Sequence, residues 1–158
     1  MYRKVSDFIA DWKNAQQGTV QVLESISDEK LNQAIVEGHS TLGWLGWHLA
    51  TSPAFFASIV GLKVQGGDPK QVPEKADEIV AAYKQMAEDI QQQVESQLTD
   101  DQLSEEFESF AGKTTRGNML RTLIDHQTHH RGQMTVLLRQ AGLPVPGVMG
   151  PTQEQSNA

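Results

Sequence analysis

Residues 125–133 read Asp-His-Gln-Thr-His-His-Arg-Gly-Gln. On a helix, His126 and His130 are four residues apart and therefore stack on one face. At about 100° per residue, both fall within the apolar stripe of this segment, whereas His129 lies at or beyond its edge. An i,i+3 pair of His126 and His129 can also bind metal in a bundle, but the helical wheel favours His126 and His130. The segment predicts a helix with two inward imidazoles that can hold one ion.

A second histidine-containing stretch, residues 38–49, reads Gly-His-Ser-Thr-Leu-Gly-Trp-Leu-Gly-Trp-His-Leu. His48 shares its helical face with apolar residues of this segment and is predicted to point inward. A single inward histidine is explained by a hydrogen bond, but three buried polar rings must all find partners. A shared cation satisfies all three, so we predict that His48, His126 and His130 are metal ligands. His39 is interpreted as a loop or capping residue, and His129 as a solvated neighbour of the site.

Four segments have helical periodicity, which predicts an all-α four-helix bundle. The first covers about 20 residues between positions 5 and 26, the second runs from about Thr41 to Val60, the third begins at Pro73-Glu74, and the fourth follows Thr115 and ends near Ala141. Residues 62–72 could span about 40 Å when extended, more than the roughly 30 Å of a 20-residue helix. This long link would let the second and third helices run parallel. Residues 1–150 are predicted to form a single domain, with a loop or hairpin at 99–114 and a flexible tail at 151–158.

Composition excludes several classes of function. The chain has 158 residues, enough for one domain, and a formal net charge of −7, which argues against a nucleic-acid partner. No window approaches the roughly 18 apolar residues of a membrane span. Asp7 and Asp11 interrupt what would be the apolar stretch of a secretion signal. There is no cysteine, hence no disulfide, thiolate ligand or cysteine nucleophile. These features predict a soluble cytoplasmic protein.

Longer motifs support the same interpretation. The run His-x-x-x-His-Arg-Gly-Gln at 126–133, which leads to Ala-Gly-Leu-Pro at 141–144, resembles the DinB/YfiT-like superfamily. The Thr-Thr-Arg-Gly lead-in at 114–117 also fits that family. Residues 44–50, Trp-Leu-Gly-Trp-His-Leu-Ala, resemble the ligand segment of the family's second helix. The resemblance covers most of the chain.

The resemblance implies a fold and a chemistry. The family is a four-helix bundle with up-down-down-up topology, and it binds a divalent cation through three histidines that match His48, His126 and His130 here. Many members are homodimers. Characterised relatives are transferases and isomerases that use mycothiol, bacillithiol or glutathione. We therefore expect a divalent metal ion and a low-molecular-weight thiol as cofactors.

The principal functional hypothesis is a metal-dependent transferase that adds such a thiol to a small electrophile in detoxification or stress. The expected nucleophile is a thiol or a water activated by the metal rather than a side chain. A metal-binding protein without catalysis and a metal-dependent hydrolase remain alternatives. Imidazole ligands suit zinc, nickel, copper and iron, and we expect zinc, nickel or iron.

Several neighbours of the predicted ligands could line the open side of the site. Trp44, Ser52 and Gln127 are weak pocket candidates, although ordinary bundle packing is the preferred interpretation of Trp44. Asp125 could accept a hydrogen bond from a ligand imidazole, although a solvated carboxylate is the preferred interpretation. Arg131 and Gln133 are assigned to helix–helix or dimer contacts.

Overall fold

The structure is a computed structural model that describes residues 1–110 and 112–157. Four long helices make up most of it: α1 (Val5–Glu24), α2 (Leu42–Ile59), α3 (Ala76–Gln97) and α4 (Arg116–Ala141). A hairpin of β1 (Glu106–Ser109) and β2 (Gly112–Thr115) precedes α4, a short helix α5 (Gln153–Ser156) follows it, and 3-10 turns occupy Asp28–Lys30 and Asp101–Ser104. The predicted all-α bundle is confirmed, with the small hairpin as its only sheet among the described residues.

Local capping signals set three of the helix ends. The Thr41 side chain accepts a hydrogen bond from the Trp44 amide at 3.1 Å and begins α2. Thr115 accepts from the Asn118 amide at 3.2 Å and begins α4. Gly142 ends α4 with φ of 70°, a left-handed conformation that favours glycine. These ends lie within one or two residues of the positions predicted from the sequence.

Helix α3 begins later than predicted. Its first residue is Ala76 rather than Pro73 or Glu74. The carboxylate of Asp28 accepts a hydrogen bond from the Ala76 amide at 2.8 Å and contacts the Lys75 ammonium at 2.9 Å. Because this cap comes from the connection between α1 and α2, no signal next to the helix start could reveal it.

Contacts between helices establish their directions. Helices α1 and α2 each pack against both α3 and α4. The Arg116 guanidinium at the start of α4 donates to the Val60 carbonyl just beyond the end of α2, so α2 and α4 are antiparallel. Tyr2, just before α1, donates its amide to the Gly117 carbonyl at 3.3 Å, so α1 and α4 begin at the same end.

Helices α2 and α3 are parallel. Gly46 near the start of α2 lies against Ile79 near the start of α3. Beyond the other end of α2, the Lys63 amide donates to Gln93 Oε1 at 2.9 Å. The topology is therefore up-down-down-up with a long link between α2 and α3, as predicted.

The middle of the link between α2 and α3 is attached to α2. The indole Nε1 of Trp47 donates to the Asp68 carbonyl at 2.8 Å. Gly67 lies so close to the same indole that a Cβ atom built there would be 2.5 Å from the ring. A larger residue at 67 would have to displace either the link or Trp47.

A buried set of polar residues, here called the polar cluster, joins α1, α3 and α4. Thr19 Oγ1 and Tyr83 Oη donate to Gln127 Oε1 at 3.1 and 3.0 Å. Arg131 Nη1 donates to the Ala15 carbonyl and to Thr19 Oγ1, both at 3.1 Å. Arg131 thus makes a helix–helix contact with α1.

The segment predicted to be a flexible tail includes a short helix. Thr152 caps α5 through a reciprocal hydrogen-bond pair with Gln155. Glu154 pairs with Arg139 of α4, with 2.6 Å between the Oε1 and Nε atoms. None of the helices in residues 1–110 and 112–157 combines the length and the apolar composition that a membrane span needs.

Candidate metal centre

Three histidines from two helices converge between α2 and α4. His48 lies in the middle of α2, and His126 and His130 lie one turn apart on α4. The Nε2 atom of His126 is 3.1 Å from His48 Nε2 and 3.1 Å from His130 Nε2. One ring nitrogen of each residue lies within 4.8 Å of the other two, and all three rings are partly buried. The structure thus brings together the three residues that the sequence singled out as ligands.

The spacing fits a shared metal ion better than hydrogen bonding. Two imidazole nitrogens at 2.0–2.1 Å from one ion are about 2.8–3.4 Å apart for bond angles between a right angle and the tetrahedral angle. An imidazole nitrogen carries either one hydrogen or one lone pair. His126 Nε2 can therefore form one linear hydrogen bond, but it has two imidazole nitrogens at hydrogen-bond distance. One cation would satisfy all three lone pairs.

Burial keeps the three imidazoles neutral. It lowers the pKa of His126 to about 4, with a further lowering from the positive charge that His130, His48 and His129 acquire when protonated. Burial also lowers the pKa of His48 and of His130. Metal binding requires an unprotonated nitrogen, so the free protein presents all three candidate ligands in the competent form at neutral pH.

Gln133 orients one of the candidate ligands. Its Oε1 atom lies 2.7 Å from His130 Nδ1. Because an amide oxygen only accepts, Nδ1 carries the hydrogen and the lone pair is on Nε2, which faces the other two histidines. The sequence predicted helix–helix or dimer contacts for Gln133 and did not indicate this role. The i,i+3 spacing from His130 to Gln133 was the available signal.

Aromatic rings form two walls of the site. The Trp44 indole stacks on the His48 ring with 4.9 Å between centroids and an 8° interplanar angle. Trp44 is nevertheless 41% exposed, so it borders the solvent side as well as packing on His48. The Phe56 ring is buried and lies 5.1 Å from the His126 ring. Both contacts restrict rotation of the imidazoles.

The other two pocket candidates differ from the prediction. Ser52 is partly buried beside His48, but its hydroxyl donates to the His48 carbonyl at 2.6 Å, so its hydrogen is used within α2. Gln127 does not line the site at all, because it is fully buried in the polar cluster. One residue after His126 is a rotation of about 100°, and here that step turns the side chain from α2 towards α1 and α3.

The remaining residues considered near the site stay outside it. His129 is exposed, with its ring edge-on to His130 at a centroid distance of 4.9 Å. Asp125 pairs with Arg121 on the surface, with 2.8 Å between Oδ1 and Nη2, and does not orient a ligand imidazole. His39 is exposed before α2 and lines a separate cavity.

Comparisons with known proteins identify the family and support the fold. The family model described as the DinB family matches residues 1–157. A relative named "Uncharacterized protein YrdA", from Bacillus subtilis (strain 168), is 36% identical over 98% of this chain and 93% of its own length. A solved DinB-like protein from Bacillus cereus ATCC 10987 is 38% identical, with a TM-score of 0.89 over 93% of this chain and 99% of its own. The DinB-like protein YjoA of Bacillus subtilis has a TM-score of 0.72 over 92% of this chain and 99% of its own; at 19% identity it supports the fold alone.

Proposed function

This chain belongs to the DinB family, and we propose that it is a metal-dependent transferase that joins a low-molecular-weight thiol to a small electrophile. The observation that carries this proposal is the convergence of three imidazole nitrogens, with His126 Nε2 at 3.1 Å from both of the others. We propose that His48, His126 and His130 are the ligands of one divalent ion.

The ligand set suits Lewis-acid chemistry. The three histidines are neutral ligands, and no carboxylate of the described residues joins their group. Three protein ligands leave at least one position open, as in catalytic rather than structural sites. When bound there, a divalent ion lowers the pKa of a coordinated thiol or water towards neutrality. Zinc, nickel and iron all accept imidazole ligands, and these are the metals we propose.

The nucleophile must come from outside the chain. There is no cysteine, and the hydroxyl of Ser52 beside His48 donates to the backbone of its own helix. The described residues of the site therefore have a positioning role. His48 and the pair on α4 hold the ion, Gln133 sets the tautomer of His130, and the stacked indole of Trp44 fixes the plane of the His48 ring.

The reaction that we propose is a substitution. The sulfur of the thiol forms a bond to the electrophilic carbon, the leaving group departs with its electron pair, and the thiol proton goes to solvent. We propose testing protein that has been stripped with a chelator and reloaded separately with zinc, nickel or iron(II). Each form receives bacillithiol, mycothiol or glutathione with iodoacetamide, and release of iodide is measured.

We expect turnover that requires both a metal and one of the thiols and that falls at least a hundredfold in His126→Ala. His129→Ala is the matched control, because His129 is an exposed histidine on the same helix outside the group. Hydrolysis of model esters without thiol would favour a metal-dependent hydrolase. Metal-dependent melting without turnover would favour a non-catalytic metal-binding protein. Failure to retain any of the three metals would overturn the proposal.

The oligomeric state is part of the same proposal. We propose that the protein is a homodimer, as the family resemblance implies, and sedimentation velocity of the metal-loaded protein tests this directly. A monomer at micromolar concentration would contradict it without affecting the metal centre.

A further inference from the structure

A cavity of about 220 Å³ lies beside the candidate metal centre, between α2, α4 and the segment that precedes α2. Its lining includes Leu45, three residues before His48, and Gln133, three residues after His130. Because α2 and α4 are antiparallel, both steps lead in the same direction along the bundle. The cavity therefore begins about one helical turn, roughly 5 Å, from the imidazoles.

The walls of this cavity are mostly apolar and its rim is partly polar. Leu45 and Leu137 form buried wall, while Ile35 and Val136 are 54% and 45% exposed. His39, also in the lining, is a polar residue that no part of the metal centre uses. Exposed apolar side chains gathered around one concavity are characteristic of a binding surface.

We propose that this cavity binds the apolar arm of the electrophile, a single ring or a short branched aliphatic group that carries an amide or another carbonyl. This inference rests on the proposed function and specifies its substrate class. An apolar cavity of about 150 Å³ accepts benzene, so the volume here suits one ring with a small polar substituent. The imidazole of His39 and the amide group of Gln133 can donate hydrogen bonds to the carbonyl.

The position of the cavity explains why such a substrate would react. A group bound between Leu45 and Gln133 holds the rest of the molecule one helical turn away, at the imidazoles. Its reactive carbon would then lie beside the open side of the ligand set, where the thiol is expected. Holding two reactants in this way can supply a large part of a rate enhancement.

Two electrophiles with the same reactive carbon make the test. N-benzyl iodoacetamide and iodoacetamide both lose iodide when sulfur bonds to the methylene carbon, and the chain has no cysteine for them to alkylate. With zinc-loaded protein and the active thiol, and after subtraction of the uncatalysed rates, we expect kcat/KM to be at least tenfold higher for the benzyl compound.

Val136→Phe should fill the cavity and remove this preference. Val136 is a suitable position because its side chain is exposed enough to enlarge without disturbing the core. Val72→Phe is the matched control, since Val72 is also an exposed valine and lies outside the cavity lining. Equal values for the two electrophiles, or a preference that persists in Val136→Phe, would overturn the inference.

A binding measurement separates this inference from the proposed function. N-benzylacetamide, which cannot react, is added to zinc-loaded protein and observed by saturation-transfer NMR. We expect binding in the wild type and in Val72→Phe and its loss in Val136→Phe. If the protein shows this binding pattern but no turnover, the cavity binds an apolar group as we infer, and the proposed transferase activity is wrong.

The same face could instead contact a second copy of the chain. Sedimentation velocity of Val136→Phe decides between the two. A changed oligomeric state together with unchanged binding of N-benzylacetamide would show that the apolar rim is a contact between copies, and it would overturn the inference.

Discussion

Helix α4 carries two polar pairs that are one residue out of phase. His126 and His130 face α2, whereas Gln127 and Arg131 face α1 and α3. Both pairs have i,i+4 spacing and both are withdrawn from solvent, Gln127 and Arg131 almost completely. The two pairs have the same spacing in the sequence, yet they face different helices in the fold.

The two pairs differ in the source of their hydrogen-bond partners. Gln127 Oε1 and the Arg131 guanidinium are bound by groups of the chain itself, namely Thr19, Tyr83 and the Ala15 carbonyl. The Nε2 atoms of His48, His126 and His130 meet only one another. A polar pair whose partners come from neighbouring helices cross-links a bundle, and a pair whose lone pairs converge without a donor is arranged for a ligand. Spacing therefore identifies candidates, and only the surrounding helices separate structural from functional pairs.

The strongest test of this comparison is removal of one member of the histidine pair. His126→Ala should weaken zinc binding at least a thousandfold, about 4 kcal/mol, because it deletes the nitrogen that contacts both other ligands. Competition with a chromophoric chelator measures the affinity. Gln127→Ala should keep zinc binding within about tenfold of the wild type; an equal loss in both variants would mean that the two pairs are not separate.

The second test removes the structural pair. Arg131→Met should lower the free energy of unfolding of metal-free protein by about 2–3 kcal/mol, because the buried Ala15 carbonyl and Thr19 hydroxyl lose a charged donor. Urea denaturation measures this change. We expect zinc affinity to stay close to that of the wild type. An Arg131→Met variant that keeps full stability but no longer binds zinc would show that Arg131 supports the metal centre rather than the packing of the helices.

The third test concerns the residue that orients a ligand. Gln133→Leu should reduce zinc affinity about 10- to 100-fold, since Nδ1 of His130 loses its acceptor. Gln133→Glu keeps an acceptor at this position and should retain the affinity. If both substitutions had the same effect, the hydrogen bond would not be what matters.

The smallest expected effect is on the pH dependence of stability in chelator-treated protein. The pKa of His126 is about 4 in the fold and 6.5 in an unfolded chain. Between these values the unfolded chain binds more protons, so the free energy of unfolding should fall as the pH is lowered from 6.5 to 4. The full shift corresponds to about 3 kcal/mol, and solvent screening of this partly exposed ring reduces the expected fall to about 1–2 kcal/mol. Above about pH 7.5 the group is unprotonated in both states and has no effect.

His126→Asn provides the control for the pH experiment. Urea denaturation at several pH values should show a shallower fall for this variant than for the wild type. Identical slopes would mean that His126 is not buried as a neutral imidazole.

Much of the fold could be predicted because its signals are local. Thr41, Thr115 and Gly142 mark helix ends through contacts with residues next to them in the chain. The apolar stripes of α2 and α4 place their histidines inward. The length of the link after α2 indicated two parallel neighbouring helices.

What could not be predicted depends on distant partners. Asp28 caps α3 from 48 residues away, so periodicity placed that helix start too early. Gln127 was assigned to the wrong side of α4, because a helical wheel gives an angle but does not say which helix lies at that angle. The cavity beside the metal centre includes Ile35 and His39, whose segment has no periodicity to reveal its path.

Because the link between α2 and α3 is attached to Trp47, we expect its two halves to differ in how well they tolerate inserted residues. Gly67 and Asp68 contact the indole that directly precedes His48 in the chain, so extra residues inserted at 62–66 would have to bulge out of a segment that is held at both ends, by α2 and by this attachment. Residues inserted at 69–72 would only lengthen the segment that follows this attachment. A protein engineer who wants to graft a peptide into this molecule should therefore open the chain after Asp68.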